Sequence, residues 1–273
     1  MQPRIPTELG ALRISTMAAM IPAMGCCSAK VYTVFRGRFS FIILLFSAAD
    51  GQLLATFDAG TLTRLRTAAT SALAARYLAR SDSRELTVFG TGVQAAGHVQ
   101  ALVKVLPIKA IRIVGRARSA AFAREMSALT GVPAAVEDAA AAVRGADIIV
   151  TATRSMTPLF DGALVKPGCF IAAVGSAYAD AAEIDAATLA RCERVVVESK
   201  AQALHEAGEL VQAVSAGALS RDRVVELGPL ATGAAPGRQT DAEITLFDSV
   251  GFALEDVAIA SIAHARLVEL GKT

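Results

Sequence analysis

Gly90, Gly92 and Ala95 stand at G-x-G-x-x-A spacing within Glu85-Leu-Thr-Val-Phe-Gly-Thr-Gly-Val-Gln-Ala95. The chemistry this spacing serves is the holding of a dinucleotide pyrophosphate. Gly90 can make a tight turn, Gly92 keeps side-chain atoms off a phosphate, and Ala95 is small enough for a helix to pack closely on a strand. Thr91, Val93 and Gln94 fill the positions between them. The N–H groups that open the following helix, and the positive end of its dipole, favour an anion there. The plainer alternative is an ordinary β–α turn.

A second cluster refines the ligand. A nucleotide domain that binds an unphosphorylated ribose carries an acid after its second strand. Here that place reads Val114-Gly-Arg-Ala-Arg-Ser119, with Arg116, Arg118 and Ser119 and no carboxylate. A guanidinium donates two parallel hydrogen bonds to a phosphate. The expected cofactor is therefore NADP(H), with NAD(H) as the alternative, and the plainer reading is a solvated basic loop.

The elements that must position these residues alternate. Short β-branched runs at residues 86–89, 111–114, 147–153, 170–174 and 194–198 read as strands. Helical patterns occupy 93–105, 119–129, 139–144 and 184–191. Such alternation predicts an α/β, Rossmann-type, doubly wound parallel sheet over 80–240. Residues 30–35, 41–46 and 52–58 read as strands joined at Arg36-Gly37 and Asp50-Gly51, of which Asp-Gly is the better hairpin signal. Residues 61–80 read as one helix and 252–270 as another. A smaller, mainly antiparallel α+β domain is expected from 1–79 and 241–273.

The 273-residue chain is 53% hydrophobic and 19% charged, with a net charge of +2, so no nucleic-acid-binding surface is expected. The strongest apolar run, 39–46, is far shorter than the roughly 20 residues of a membrane helix. No secretory signal is evident. Cys26, Cys27, Cys169 and Cys192 lack metal or redox spacing, and His98, His205 and His264 are scattered. A reduced, cytoplasmic protein without metal is expected.

A longer set of motifs narrows the function. Arg66-Thr-Ala-Ala precedes the glycine turn. Thr151-Ala-Thr153, Lys166-Pro-Gly168 and Val174-Gly-Ser176 follow it, and then Glu206-Ala-Gly-Glu-Leu210 and Ile244-Thr-Leu-Phe-Asp-Ser-Val-Gly251. In order and separation this series resembles the ornithine cyclodeaminase/μ-crystallin family. The resemblance implies a homodimer built through the β region and an NAD(P)-dependent enzyme for small amino acids or their imines. It implies a substrate carboxylate on Arg66 and Lys30, the catalytic residues, with Arg4 beside them. Ser249, Val250 and Gly251 would approach the nicotinamide end. Thr67, Thr151, Ala152, Thr153, Val174, Gly175 and Ser176 join the cofactor set. A carboxylate does call for a bidentate cation, and a buried lysine can hold a mobile proton. Tyr178, Met24 and Phe247 are candidates for the pocket or for the core.

Two departures from the family pattern bear on the reaction. Cyclodeaminases carry an aspartate where this chain has Ala177, and alanine accepts no proton. Ketimine reductases of the family lack that aspartate too. The expected reaction is therefore reduction of a cyclic or linear α-imino acid such as Δ1-pyrroline-2-carboxylate or Δ1-piperideine-2-carboxylate. Ornithine cyclodeamination, an alanine dehydrogenase type of reaction, and a weakly catalytic NADPH-binding protein are the alternatives. Family chains also usually carry a helical segment before the position of Arg4. Either a late start or a trimmed variant accounts for that, and an inactive member of the family is an alternative to the active reductase.

Overall fold

Alternating burial shapes the first sheet, described from a computed structural model covering residues 1–175 and 178–272. Strands β1 (Ile5–Leu9), β2 (Leu12–Ile21), β3 (Cys26–Phe35), β4 (Arg38–Ser47) and β5 (Leu53–Asp58) form an antiparallel meander in chain order. The tightest expected hairpin is not the Asp-Gly one. Arg36 and Gly37 both take positive φ, 49° and 75°, and close β3 onto β4 in two residues, the backbone a primed turn demands. Asp50-Gly51 sits instead in the longer loop between β4 and β5. Strands β1 and β2 were absent from the sequence reading. In β2 the buried positions are Ser15, Met17 and Ala19, so small and polar inward residues blur the alternation.

Helix α1 (Gly60–Leu78) follows, and the chain enters a sheet of eight strands, all parallel. The elements are β6 (Glu85–Phe89), α2 (Val93–Val105), β7 (Ala110–Val114), α3 (Ser119–Thr130), β8 (Ala134–Val136), α4 (Ala139–Gly145), β9 (Ile148–Thr151), β10 (Phe170–Ala173), α5 (Ala186–Arg191), β11 (Cys192–Val197), α6 (Lys200–Glu206), α7 (Gly208–Ser215), β12 (Val224–Glu226), α8 (Leu227–Ala231) and β13 (Ile244–Asp248). The strand order is β12-β11-β13-β10-β9-β6-β7-β8. Strands β9, β10 and β13 are buried at every position, as expected of a parallel sheet covered on both faces. Asp138 and Asp185 cap α4 and α5 by accepting backbone N–H bonds.

Strand β13 was not foreseen. It lies in the stretch expected to return to the first domain, yet pairs between β10 and β11. The chain divides accordingly into Met1–Arg66 with Gly251–Thr273, and Thr67–Val250. The last helix, α9 (Ala253–Glu269), belongs to the first unit. Its Ala253, Val257 and Ala260 join Met17, Ala19, Ile43 and Leu45 in one apolar core.

Candidate active site

Because the larger sheet is parallel, its strands release their loops at one edge, where α/β proteins bind nucleotides. Along that edge β7, β6, β9, β10 and β13 include consecutive neighbours of the sheet. The expected cofactor residues fall on their ends in a row. Gly115 to Ser119 follow β7, Gly90 to Ala95 follow β6, Thr151 to Thr153 end β9, Val174 and Gly175 follow β10, and Ser249 and Val250 follow β13. Thr67 is buried on α1 in the same unit. Ser176 and Ala177 lie outside the described residues.

The two glycines of the turn differ in what they do. Gly90 has φ +107°, and an added Cβ would stand 3.0 Å from the Ala152 carbonyl carbon and closer to its oxygen. Gly92 has φ −91° and nothing within 4 Å of such a Cβ. The first glycine serves the fold, and the second leaves space in front of the α2 N-terminus. Gly92 gives that helix no side-chain cap, unlike α4 and α5. An open cradle facing uncapped N–H donors fits a pyrophosphate.

Arg116 and Arg118 are exposed in the loop after β7. Ser119 donates its hydroxyl to the Arg116 carbonyl at 2.7 Å, so it shapes the loop as well as facing it. A Cβ on Gly115 would stand 3.2 Å from Thr91 Cγ2, which shows how closely this loop approaches the glycine turn. The fully buried Thr151 hydroxyl has no hydrogen-bond partner among the described residues.

A carboxylate missed in the sequence ties two of these loops together. Glu183, fully buried, accepts from Thr153 N at 2.7 Å, from the Thr153 hydroxyl, and from Gly175 N at 2.9 Å. The signal was a lone acid in Ala181-Ala-Glu-Ile184, whose other members are all buried. Ser249 donates its hydroxyl to Glu198. Beside them Asp248 is pushed well above the usual carboxylate range, by burial first and then by Glu209, Glu198 and Glu183. Phe247 is core, fully buried within the sheet.

The first unit brings the remaining residues together. Lys30 points inward from β3, flanked in register by Met17 and Ile43, and is 2% exposed. Its Nζ lies 3.1 Å from Asp256 Oδ1 and 4.9 Å from the Phe41 ring centroid. Arg66, near the middle of α1, donates from Nη1 to Glu255 Oε2 at 2.8 Å, and its Nε lies 3.2 Å from Asp256 Oδ1 as an ion pair. Arg4 reaches the Gly251 carbonyl at 3.5 Å. A Cβ on Gly251, whose φ is +84°, would stand 3.0 Å from the Arg66 guanidinium nitrogens. That glycine lets the backbone lie against the cation.

Burial is the main cause that lowers the Lys30 amine to about 7, with Arg66 adding to it; Asp256 opposes the shift and Arg4 reinforces it. Lys30 therefore exchanges a proton near neutrality. With the amine charged, Lys30, Arg66 and Arg4 gather as cations around Asp256 and Glu255, a setting that suits an anion. Glu255 and Asp256 were not foreseen. Their signal was an acid on a buried helical stripe, since Asp256 shares the face of Ala253, Val257 and Ala260.

Comparison with known proteins gives the family of the chain. Residues 30–271 match the model of the ornithine cyclodeaminase/mu-crystallin family. A Delta(1)-pyrroline-2-carboxylate reductase of Bacillus cereus is 38% identical over 234 residues, spanning 84% of this chain and 72% of the relative. The crystal structure of a probable ornithine cyclodeaminase from Bordetella pertussis superposes with a TM-score of 0.96 at 46% identity, covering 98% of this chain and 86% of that one. The Thermococcus litoralis Delta(1)-pyrroline-2-carboxylate reductase, solved with NADH and L-proline, gives a TM-score of 0.95 at 30% identity, covering 99% and 87%. With an edge that fits a dinucleotide, a buried clamp that fits a carboxylate, and relatives of this kind, the chain belongs to the ornithine cyclodeaminase/mu-crystallin family.

Proposed function

We propose that the protein is an NAD(P)H-dependent reductase of small α-imino acids, of the class of Δ1-pyrroline-2-carboxylate and Δ1-piperideine-2-carboxylate. The observation that carries this is the convergence of buried Lys30 and Arg66, with Arg4 beside them, on Asp256 and Gly251. Arg66 and Lys30 grip the substrate carboxylate, with Arg4 and Gly251 beside them. A nicotinamide, when bound, supplies the hydride that reduces the C=N carbon. The imine nitrogen must be protonated to become an amine, and Lys30 holds a proton that is mobile near neutrality. Gly90 to Ala95, Thr151 to Thr153, Val174, Gly175 and Val250 hold and orient the dinucleotide, together with Thr67 of α1. Ser249, fixed by Glu198, stands at the end of the strand that leads to Gly251.

NADP(H) is the preferred form, supported by Arg116 and Arg118 at the end of β7 and by the lack of an acid there. Reduction is preferred over cyclodeamination because Ala177 occupies the sequence position of the family's base. Spectrophotometry tests the reading. Purified protein with NADPH should reduce Δ1-pyrroline-2-carboxylate or Δ1-piperideine-2-carboxylate readily, and with NAD should convert little ornithine to proline. Efficient ornithine conversion without imine reduction would overturn it. Arg66→Ala should abolish reduction and leave NADPH binding near normal; retained turnover would remove the clamp from the mechanism.

We also propose that the protein is a homodimer formed through the first sheet. Lys30 and its buried neighbours face α9, and the opposite side of the same strands is largely apolar, interrupted by Thr16, Thr33 and Ser40. Ile14, Ala18, Ala29, Val31, Ile42 and Leu44 share that outward face by register, and Ile14 and Ile42 are exposed. A largely apolar sheet face of this kind suits an interface, and a second copy supplies a self-complementary cover.

A further inference from the structure

This inference rests on the reading that Lys30 and Arg66 hold an α-imino acid by its carboxylate, and it concerns what holds them. Asp256 Oδ1 stands 3.1 Å from Lys30 Nζ and 3.2 Å from Arg66 Nε. One oxygen thus faces the two cations assigned to the substrate, which come from different elements, β3 and α1. The carboxylate is 1% exposed. Its helix is fixed by Ala253, Val257 and Ala260 in the core of the first unit. Such a side chain cannot trade these partners for water.

Both cations need this. A lysine amine ends a flexible four-carbon stem, and a buried carboxylate at hydrogen-bond distance stops its motion. The groups facing the amine are Arg66 from α1, Arg4 from the chain start, Asp256 from α9, the Tyr32 and Phe41 rings, and apolar Met17 and Ile43 from the flanking strands. Burial and the two guanidiniums favour a neutral amine. Among the described residues, Asp256 is the carboxylate that touches it. Glu255 touches Arg66 through Nη1 and so helps aim the guanidinium, one step removed from the lysine.

We propose that Asp256 is a positioning residue of the reaction: its carboxylate aims Lys30 and Arg66 together at the substrate carboxylate, and its negative charge favours the ammonium form of the lysine. The sign follows from the charges. The Asp256 carboxylate raises the affinity of Lys30 for its proton, so neutralising it lowers the charged fraction at any pH near 7. A neutral amine no longer attracts the substrate anion, and substrate binding weakens first on the alkaline side.

The test compares full-length wild type, Asp256→Asn and Asp256→Glu with NADPH bound, from about pH 6 to about pH 9. Two readouts are taken. One is calorimetric binding of pyrrole-2-carboxylate, a planar carboxylate that cannot be reduced. The other is steady-state reduction of Δ1-pyrroline-2-carboxylate. Asp256→Asn should raise KM and the analogue Kd at least about tenfold at pH 8. It should also move the alkaline limb of both profiles about one unit toward acid, with binding partly recovered at pH 6. Asp256→Glu keeps the charge and should restore the limb while KM stays raised, a split that loss of folding alone would not produce. Wild-type KM and an unmoved limb in Asp256→Asn would overturn the proposal. If Asp256→Asn does not melt cooperatively, Asp256→Glu decides: a raised KM with the wild-type limb supports the positioning role, and an unchanged KM refutes it. Wild type that binds the analogue without reducing the imine would remove the proposed function alone and leave positioning to be judged on binding. Wild type that binds no such carboxylate would remove both.

Discussion

Substituting alanine separately at the two glycines of the β6–α2 turn should damage different properties. At Gly90 a methyl group meets two penalties. The backbone sits at φ +107°, and the new carbon lies 3.0 Å from the Ala152 carbonyl carbon. An unfavourable backbone region costs about 1–3 kcal/mol, and forcing atoms into filled space about as much again. Gly90→Ala should therefore lose about 2–6 kcal/mol, a fall in Tm on the order of 10 °C for a chain of this size. At Gly92 the backbone is ordinary for any residue and no atom lies within 4 Å. Gly92→Ala should leave stability within about 0.5 kcal/mol, since the entropy removed from the unfolded chain offsets the lost freedom at the turn. Its methyl group instead stands where the pyrophosphate must approach. Losing one charge-assisted hydrogen bond costs about 1.5–3 kcal/mol, which weakens cofactor binding by at least about tenfold. The chain has no Trp, so NADPH fluorescence and calorimetry measure affinity, and circular dichroism follows melting. Gly92→Ala with wild-type affinity would show that the phosphates do not pass this turn. Gly90→Ala with a wild-type Tm would show that the turn yields, against the reasoning from its neighbours.

Three further outcomes are expected. Arg116→Asp should weaken NADPH binding far more than NADH binding in parallel fluorescence titrations; equal losses would make the loop a solvated turn. His98 is fully buried, donating from Nδ1 to the Gln94 carbonyl at 2.8 Å and accepting at Nε2 from the Ser71 hydroxyl at 2.9 Å, and burial lowers it to about 4. The unfolded chain therefore binds the extra proton between pH 6.5 and 4, so stability is present above that window and falls by about 3 kcal/mol as pH drops through it. Urea midpoints at the two ends should show a shallower acid loss in His98→Gln, and an unchanged slope would clear this residue. Ile42→Lys should convert a dimer to monomers in sedimentation velocity while the fold persists, and an unchanged mass would move the interface elsewhere.

Local features were legible in the sequence, and features closed by distant partners were not. The glycine turn could be read because a strand, two glycines and a helix follow one another without interruption. The Arg116–Arg118 loop could be placed because β7 is short and β-branched. Strand β13 could not, since its five residues follow a polar loop and both its partners, β10 and β11, precede it by many residues. Strand β2 hid behind inward Ser15 and Ala19. Lys30 and Arg66 were named through the family motifs, but the acid that meets Lys30 lies 226 positions away. No spacing rule connects β3 to α9; only the packing of Ala253 and Val257 does.

The late arrival of β13 also sets an order of events during synthesis. Until residue 248 has left the ribosome, β10 and β11 have no partner between them, and each presents a bare hydrogen-bonding edge. A nascent chain, or one cut short before position 244, holds its large sheet as two incomplete halves that invite association with other chains. The central seam is closed from the carboxyl-terminal side: a loss that reaches Asp248 opens it, while a loss confined to residues 251–269 spares the seam but removes α9, and with it Asp256 and part of the first core.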